Sequence, residues 1–280
     1  TEVLIIKLLT LNTHSLIENN YKTKLKIFTD AILQEKPDII ALQEVNQTIN
    51  CTPVPENELT GFYPCQSSVR ITKDNHAYHI IKIINEKNIN YYWTWLPLKN
   101  GYGKFDEGLA VLSLKPILKT DTFLISNNDD YENWKTRKVL GILTDDKKEE
   151  WFYSVHMGWW NDNEDPFERQ WKKLNDHLCK LKNIWIMGDF NSPAEVRNEG
   201  YDLINASGWY DCYNLAKEKD NGFTVEKVID GWKDKLKEKT NIRIDHIWCR
   251  HKIPVKSSNV IFNGKNRPVV SDHYGVIISI

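Results

Sequence analysis

Eleven short runs rich in β-branched and aromatic residues constrain this chain more than any other feature. They lie at residues 3–11, 39–43, 79–84, 90–96, 109–114, 138–144, 151–156, 183–187, 242–249, 259–262 and 274–279. Runs of this length bounded by turn formers read as strands. The segments 85–88 and 145–148 read as the turns of two hairpins. Helices are fewer. In residues 164–181, Phe167, Trp171, Leu174, Leu178 and Leu181 recur at helical spacing, with Pro166 suited to the first turn. Residues 22–36 place Leu25, Phe28 and Ile32 on one face and stop before Pro37. A third helix is expected directly after Ser192-Pro193. Many strands with a few helices predict an α+β sandwich: two packed, mostly antiparallel sheets flanked by helices. No repeat or Pro/Ser/Gly-rich linker interrupts the 280 residues, so residues 1–280 are expected to form a single domain.

Polar residues cluster where these apolar runs end. Asn12 follows Leu8-Leu9-Thr10-Leu11, and Glu44 follows Ile39-Ile40-Ala41-Leu42-Gln43. His156 closes the run 151–156, while Asp189 and Asn191 sit in Gly188-Asp189-Phe190-Asn191. Asp245 and His246 lie in Arg243-Ile244-Asp245-His246, and Ser271-Asp272-His273 precedes the last run. Strand ends are where a rigid scaffold hands side chains to a common cleft. Each residue alone reads as a turn or structural residue; the ordered set is what points to chemistry.

That set, running from Asn12 to His273, resembles the endonuclease/exonuclease/phosphatase superfamily, which includes deoxyribonuclease-I-like nucleases, abasic-site endonucleases, neutral sphingomyelinases and inositol-polyphosphate phosphatases. His246 departs from the pattern, standing where an aromatic residue is common. The resemblance implies a divalent-metal-dependent phosphoric ester hydrolase. Hard oxygen donors suit Mg²⁺, or Mn²⁺ in its place. By this likeness Glu44 is the leading metal ligand, with Asn12 and Asp272 beside it. His273 is the expected general base or water-positioning residue, oriented by Asp245. Asp189 would hold the attacking water, and Asn191 would donate to that water or to phosphate. His156 would contact a non-bridging oxygen, with Glu107 either orienting it or acting as a plain turn residue. No Walker loop, G-x-S-x-G elbow or H-E-x-x-H helix competes with this reading.

The substrate is a separate question, because specificity lives in loops. A net charge of −1 with acids and bases mixed gives no backbone-tracking surface, so nucleic acid is not expected as a partner. No stretch approaches the ~20 apolar residues that span a bilayer, and no membrane partner is expected. Residues 3–9 read as a core strand rather than a signal peptide. Five widely spaced cysteines without a C-x-x-C pair suit a reducing compartment, hence a cytoplasmic location. Trp159 and Trp160, after His156-Met157-Gly158, are placed to stack on a sugar face or a base. Arg137 opens a strand beside Trp134 and is a candidate phosphate contact, with Lys138, Lys104 and Arg267 behind it. The segments 156–167, 134–138, 208–211 and 221–225 resemble a branch in Gram-positive bacteria that includes maltose 6′-phosphate phosphatases. This implies a sugar phosphomonoesterase, with maltose 6′-phosphate as the leading substrate. A nuclease-like or sphingomyelinase-like phosphodiesterase remains open, favoured in the lipid case by an aromatic hairpin at 85–96. An inactive binding scaffold is disfavoured because the base and ligand positions are all filled.

Overall fold

The structure, a computed structural model, describes residues 5–146, 148–227, 229, 231–232 and 241–280. Two mixed sheets face each other. The first begins with β1 (Lys7–Asn12) and β2 (Ile39–Thr48), parallel neighbours joined through helix α1 (Tyr21–Glu35). A helical crossover is the usual way to return a chain for parallel pairing. α1 buries Leu25, Phe28 and Ile32 as its spacing requires, and stops at Lys36, left-handed before Pro37. The sheet is completed by β3 (Tyr92–Gly101), β4 (Phe105–Ser113), β10 (Ala216–Lys219), β12 (Val255–Ile261) and β13 (Gly275–Ser279), in the order β10-β12-β13-β1-β2-β4-β3. The second sheet runs β5-β6-β7-β8-β11-β9, from β5 (Ile117–Leu124), β6 (Lys138–Thr144), β7 (Trp151–His156), β8 (Ile184–Asp189), β9 (Tyr210–Asp211) and β11 (Asp245–Cys249). Each sheet is mostly antiparallel, with parallel pairs at β1–β2, β10–β12 and β7–β8.

Period-two alternation explains the layers. On β1, Leu8 packs between the sheets, whereas Leu9 and Leu11 pack under α1 and α2 (His76–Asn85). The inter-sheet layer joins Leu8, Ile39, Ala41, Leu109 and Val111 to Leu140, Ile142, Phe152, Met187 and Ile247. The outer face of the second sheet is covered by α3 (Phe167–Leu178) and α4 (Gly200–Ala206) through Phe167, Trp171, Leu174 and Ile204; a further short helix, α5 (Cys212–Leu215), follows β9.

Three expected elements differ. Residues 79–84 are not a strand but the core of α2, so no hairpin turns at 85–88 and no aromatic hairpin spans 85–96. The Asn75 side chain accepts from the Tyr78 amide, and that cap opens a helix whose Ala77, Ile80, Ile81 and Ile84 share one buried face. A short apolar run fits either period, and the cap decides. No helix starts after Ser192-Pro193; α4 begins at Gly200, because residues 193–196 close a turn instead. Strands β5, β9 and β10 carry too few β-branched inward residues to stand out from the sequence. The β6–β7 hairpin forms as expected around 145–148, of which Lys147, like Val3 and Leu4 of the first run, lies outside the described residues.

Two buried histidines set a pH response. His76 on α2 and His246 on β11 are each pushed down to about 3, mainly by burial, aided by the neighbouring His79 and Arg243 charges respectively. Both fold neutral while the unfolded chain takes up protons below the ordinary imidazole range, so their contribution is present above it and lost as pH falls. His246 stacks on Phe190 with ring centroids 5.4 Å apart. His246→Phe should therefore gain about 2 kcal/mol over wild type between about pH 7.5 and pH 5, measured by denaturant unfolding. An unchanged difference between the two pH values would count against this.

Candidate active site

The inter-sheet layer changes character along its length. Following alternate residues, β1 goes Leu8, Thr10, Asn12; β2 goes Ile39, Ala41, Gln43; β7 goes Phe152, Ser154, His156; and β8 goes Trp185, Met187, Asp189. The first polar rung is satisfied across the sheets, Gln43 Nε2 donating to Ser154 Oγ at 2.9 Å and Ser154 Oγ to the Leu42 carbonyl at 3.0 Å. The next rung opens into a cleft of about 450 Å³. Glu44 joins it through a bulge between Leu42 and Val45, where its φ of 51° breaks the alternation that would have turned it away. Gly188 permits close packing beside the site, since a Cβ there would strike the Val155 carbonyl.

Asp189 is the hub. Its Oδ2 accepts from Asn12 Nδ2 at 3.2 Å and faces His156 Nε2 at 3.6 Å and His273 Nε2 at 3.7 Å. Its Oδ1 accepts from the Asn191 amide at 2.9 Å. His273 Nδ1 is 2.9 Å from Asp245 Oδ2. Asn12 Nδ2 also donates to Glu44 Oε1 at 2.9 Å, and its carbonyl accepts from Ser271 Oγ. The Asn191 amide is held at both ends: Nδ2 donates to the Met157 carbonyl, and Oδ1 accepts from Trp232 Nε1, each at 2.9 Å.

Burial and neighbouring charge spread the titrations apart. Glu44 is pushed up to about 7 by burial and by the Glu107 and Asp272 carboxylates. Asp189 is raised to about 6 by burial, with Asp245 adding to it against the opposing pull of His273. Burial would lower His273, yet Asp245 and Asp189 override it and hold the imidazole well above its ordinary range. His156 goes the other way, lowered by burial and by the Arg137, Lys99 and His273 charges.

Could these residues hold a cation? Three carboxylates, Glu44, Glu107 and Asp272, repel one another in the cleft, and the donors there are hard oxygens. That combination fits a divalent ion. Two further groups of side chains lie close enough to share an ion, His14 with Glu18 and Asp272, and Asp189 with Asp245 and His273. In the second group the His273–Asp245 contact is already closed within the protein.

Most expected residues converge. Glu44, Glu107, Arg137, His156, Trp159, Asp189, Asn191, Asp272 and His273 line the cleft, with Asn12 and Asp245 bonded directly behind them. Trp160 does not line it; it packs on Phe167 of α3. Glu107 does not orient His156: it ion-pairs with Lys99 at 3.2 Å, and His156 Nδ1 has no partner among the described residues. Lys138 pairs with Asp129, Lys104 lies over Phe105, and Arg267 pairs with Glu35 at α1, all outside the cleft lining. Residues not singled out beforehand also line it, among them Lys99, His14, Tyr102, Ile229 and Gly231. His14 stands two residues after Asn12, a usable signal; Lys99 had none, lying three residues beyond the apolar run 90–96.

With this geometry in hand, comparison with known proteins decides the lineage. The model of the Endonuclease/Exonuclease/phosphatase family matches residues 9–273. The chain belongs to this family. Its members are hydrolases, typically dependent on a divalent metal. A family protein from Leptotrichia buccalis C-1013-b is 30% identical, with a TM-score of 0.83 and 98% of both chains covered. A mannosyl-6-phosphatase from Bacteroides thetaiotaomicron VPI-5482 is 16% identical at a TM-score of 0.64, covering 98% of this chain and 99% of that one. D. rerio TDP2 complexed with single strand DNA product is 12% identical at a TM-score of 0.62, with 98% of both chains covered. No curated protein matches the sequence. The last two likenesses are of fold.

The His273 couple can be tested directly. Asp245→Asn removes the nearest negative charge, so the His273 imidazole should titrate at lower pH than in wild type, read by NMR. An unmoved titration would mean that Asp245 does not set its charge.

Proposed function

We propose that this protein is a divalent-metal-dependent phosphomonoesterase of sugar phosphates, with maltose 6′-phosphate as the first substrate to expect. The observation that carries this reading is the Arg137 guanidinium. It is buried against the cleft, its polar contacts are to the Trp134 and Thr136 carbonyls, and no carboxylate among the described residues pairs with it. Glu107, Asp189, Glu44 and Asp165 act on this buried cation only through space, and an anionic ligand group would give it a direct partner. Above it the wall is aromatic: Trp134 is 55% exposed and tilts against Trp159 with centroids 5.8 Å apart, and the Trp159 ring lies 6.0 Å from the guanidinium. A volume of about 450 Å³ suits a small ligand of mono- or disaccharide size. The fold-level likeness to a mannosyl-6-phosphatase supports the same class.

In the proposed step, water attacks phosphorus and its proton passes to Asp189; the bond from phosphorus to the sugar oxygen breaks, and that oxygen keeps the electron pair and takes a proton from solvent water, without a covalent enzyme intermediate. Asp189, raised to about 6, is suited to accept a proton near neutrality. His273, kept protonated by Asp245 and Asp189, then donates to the phosphoryl group rather than serving as the initial base. His156 and Asn191 position water and phosphate. A divalent ion, Mg²⁺ or Mn²⁺, held by Glu44 and Asp272 with Asn12 adjacent, would polarise a phosphoryl oxygen. We place the enzyme in the cytoplasm, in keeping with five free cysteines; among the described residues no helix is long and apolar enough to cross a membrane.

Phosphate release with Mg²⁺ should be measured on a panel of mono- and disaccharide 6-phosphates, with plasmid cleavage in parallel. Release from a sugar phosphate with intact DNA is expected, abolished by EDTA and reduced about 10²–10⁴-fold by Asp189→Ala. Cleaved DNA without sugar turnover would move the activity to the phosphodiesterases, as the fold shared with TDP2 allows.

A further inference from the structure

Lys99 stands in the cleft wall for a reason that its strand does not require. β3 shifts register between Pro97 and Lys99, and after this irregularity the Lys99 side chain, only 7% exposed, lines the cleft. Its Nζ donates to the Trp134 carbonyl at 2.7 Å, the same oxygen that Arg137 Nη1 reaches at 3.3 Å. Two cations thus converge on one carbonyl. Glu107 pairs with Lys99, whereas no described carboxylate makes direct contact with Arg137; Glu107, Asp189, Glu44 and Asp165 act on it only through space. Packing like charges side by side out of water is unfavourable on its own; burial first and then Arg137 press the Lys99 ammonium below its ordinary range, against the pull of Glu107 and Glu44. Two cationic donors anchored on one carbonyl can each reach a different oxygen of one phosphate, and a ligand with two negative charges engages both.

Resting on the phosphomonoesterase reading, we propose that Lys99 is a specificity-determining residue. With Arg137 it forms a two-cation seat that selects the dianionic phosphate of a monoester over the monoanionic phosphate of a diester. Arg137 meets either ligand; Lys99, tethered by Glu107, answers the second charge. The site is partly shielded from solvent, so the discrimination persists at moderate salt.

The test is binding of orthophosphate and of dimethyl phosphate to the Mg²⁺-loaded full chain by calorimetry, near pH 8, where orthophosphate is a dianion. Wild type should prefer orthophosphate at least about tenfold. Lys99→Met should collapse that preference toward unity with dimethyl phosphate binding retained, and Lys99→Arg should restore most of it. Retained dimethyl phosphate binding also certifies that the variant is folded; should Lys99→Met fail to fold, Lys99→Gln takes its place. A Lys99 variant that weakens both ligands equally, or neither, overturns the assignment and leaves the monoesterase reading intact. A wild type that prefers dimethyl phosphate instead overturns the monoesterase reading itself.

Discussion

Everything in this molecule depends on the layer between the two sheets, and on the point along it where apolar residues give way to polar ones. At one end Leu8, Ile39, Phe152 and Trp185 exclude water and hold the sheets together. Two residues further along each strand the same face carries Thr10, Ala41, Ser154 and Met187, and two further Asn12, Gln43, His156 and Asp189. Because a strand's side chains alternate, the direction of each side chain is set by the apolar residues before it. The dry end thereby aims the wet end. Polar atoms in the transition rung bond across the sheets rather than to solvent, which ties the floor of the cleft to both sheets.

That position has an electrostatic consequence. Carboxylates and imidazoles at the mouth of a dry layer are partly desolvated, so each responds strongly to its neighbours. Asp189 and His273 divide a proton between them in favour of the histidine, because Asp245 backs the imidazole on its other side. His156, only 3.6 Å from the same Asp189 oxygen, stays neutral because it is buried and because Arg137 and Lys99 face it. Two histidines beside one carboxylate therefore carry different charges. A pair of groups held in opposite protonation states is what acid–base chemistry near neutrality requires.

The sequence showed the floor of this site and little of its walls. The floor residues follow apolar runs, and an apolar run ending in Asn, Glu, His or Asp is visible without coordinates. Fold class was legible for the same reason, since ten of eleven expected strands formed where apolar runs lay. The run at 79–84 failed because His79-Ile80-Ile81-Lys82-Ile83-Ile84 satisfies both periods, and only the Asn75 cap, a single residue, settles it as helical. Lys99 escaped notice because a strand irregularity, not a motif, turns it inward. Glu107 was recognised but given the wrong partner: its neighbour across the β3–β4 pair is Lys99, a matter of register that composition does not reveal.

Floor and wall are nevertheless joined. The indole of Trp232 fixes the Asn191 side-chain oxygen, while Gly231, one residue before it, lies against the Trp159 ring so closely that a Cβ would overlap it. Ile229 and Trp232 bury themselves with Val225, Ile242 and Ile244 in a small apolar cluster that Trp159 flanks. One short stretch of chain therefore touches both the aromatic wall, where a ligand's body would rest, and the amide that is held beside Asp189. A ligand that displaced Trp159 would press on Gly231, and through its neighbour on the hydrogen bond that orients Asn191. Strand ends and the residues beside them supply the reacting groups, and Trp232, outside any strand, holds one of them in place. Specificity and the geometry of the reacting centre are thus not separable parts here, and a change in the wall carries into the floor.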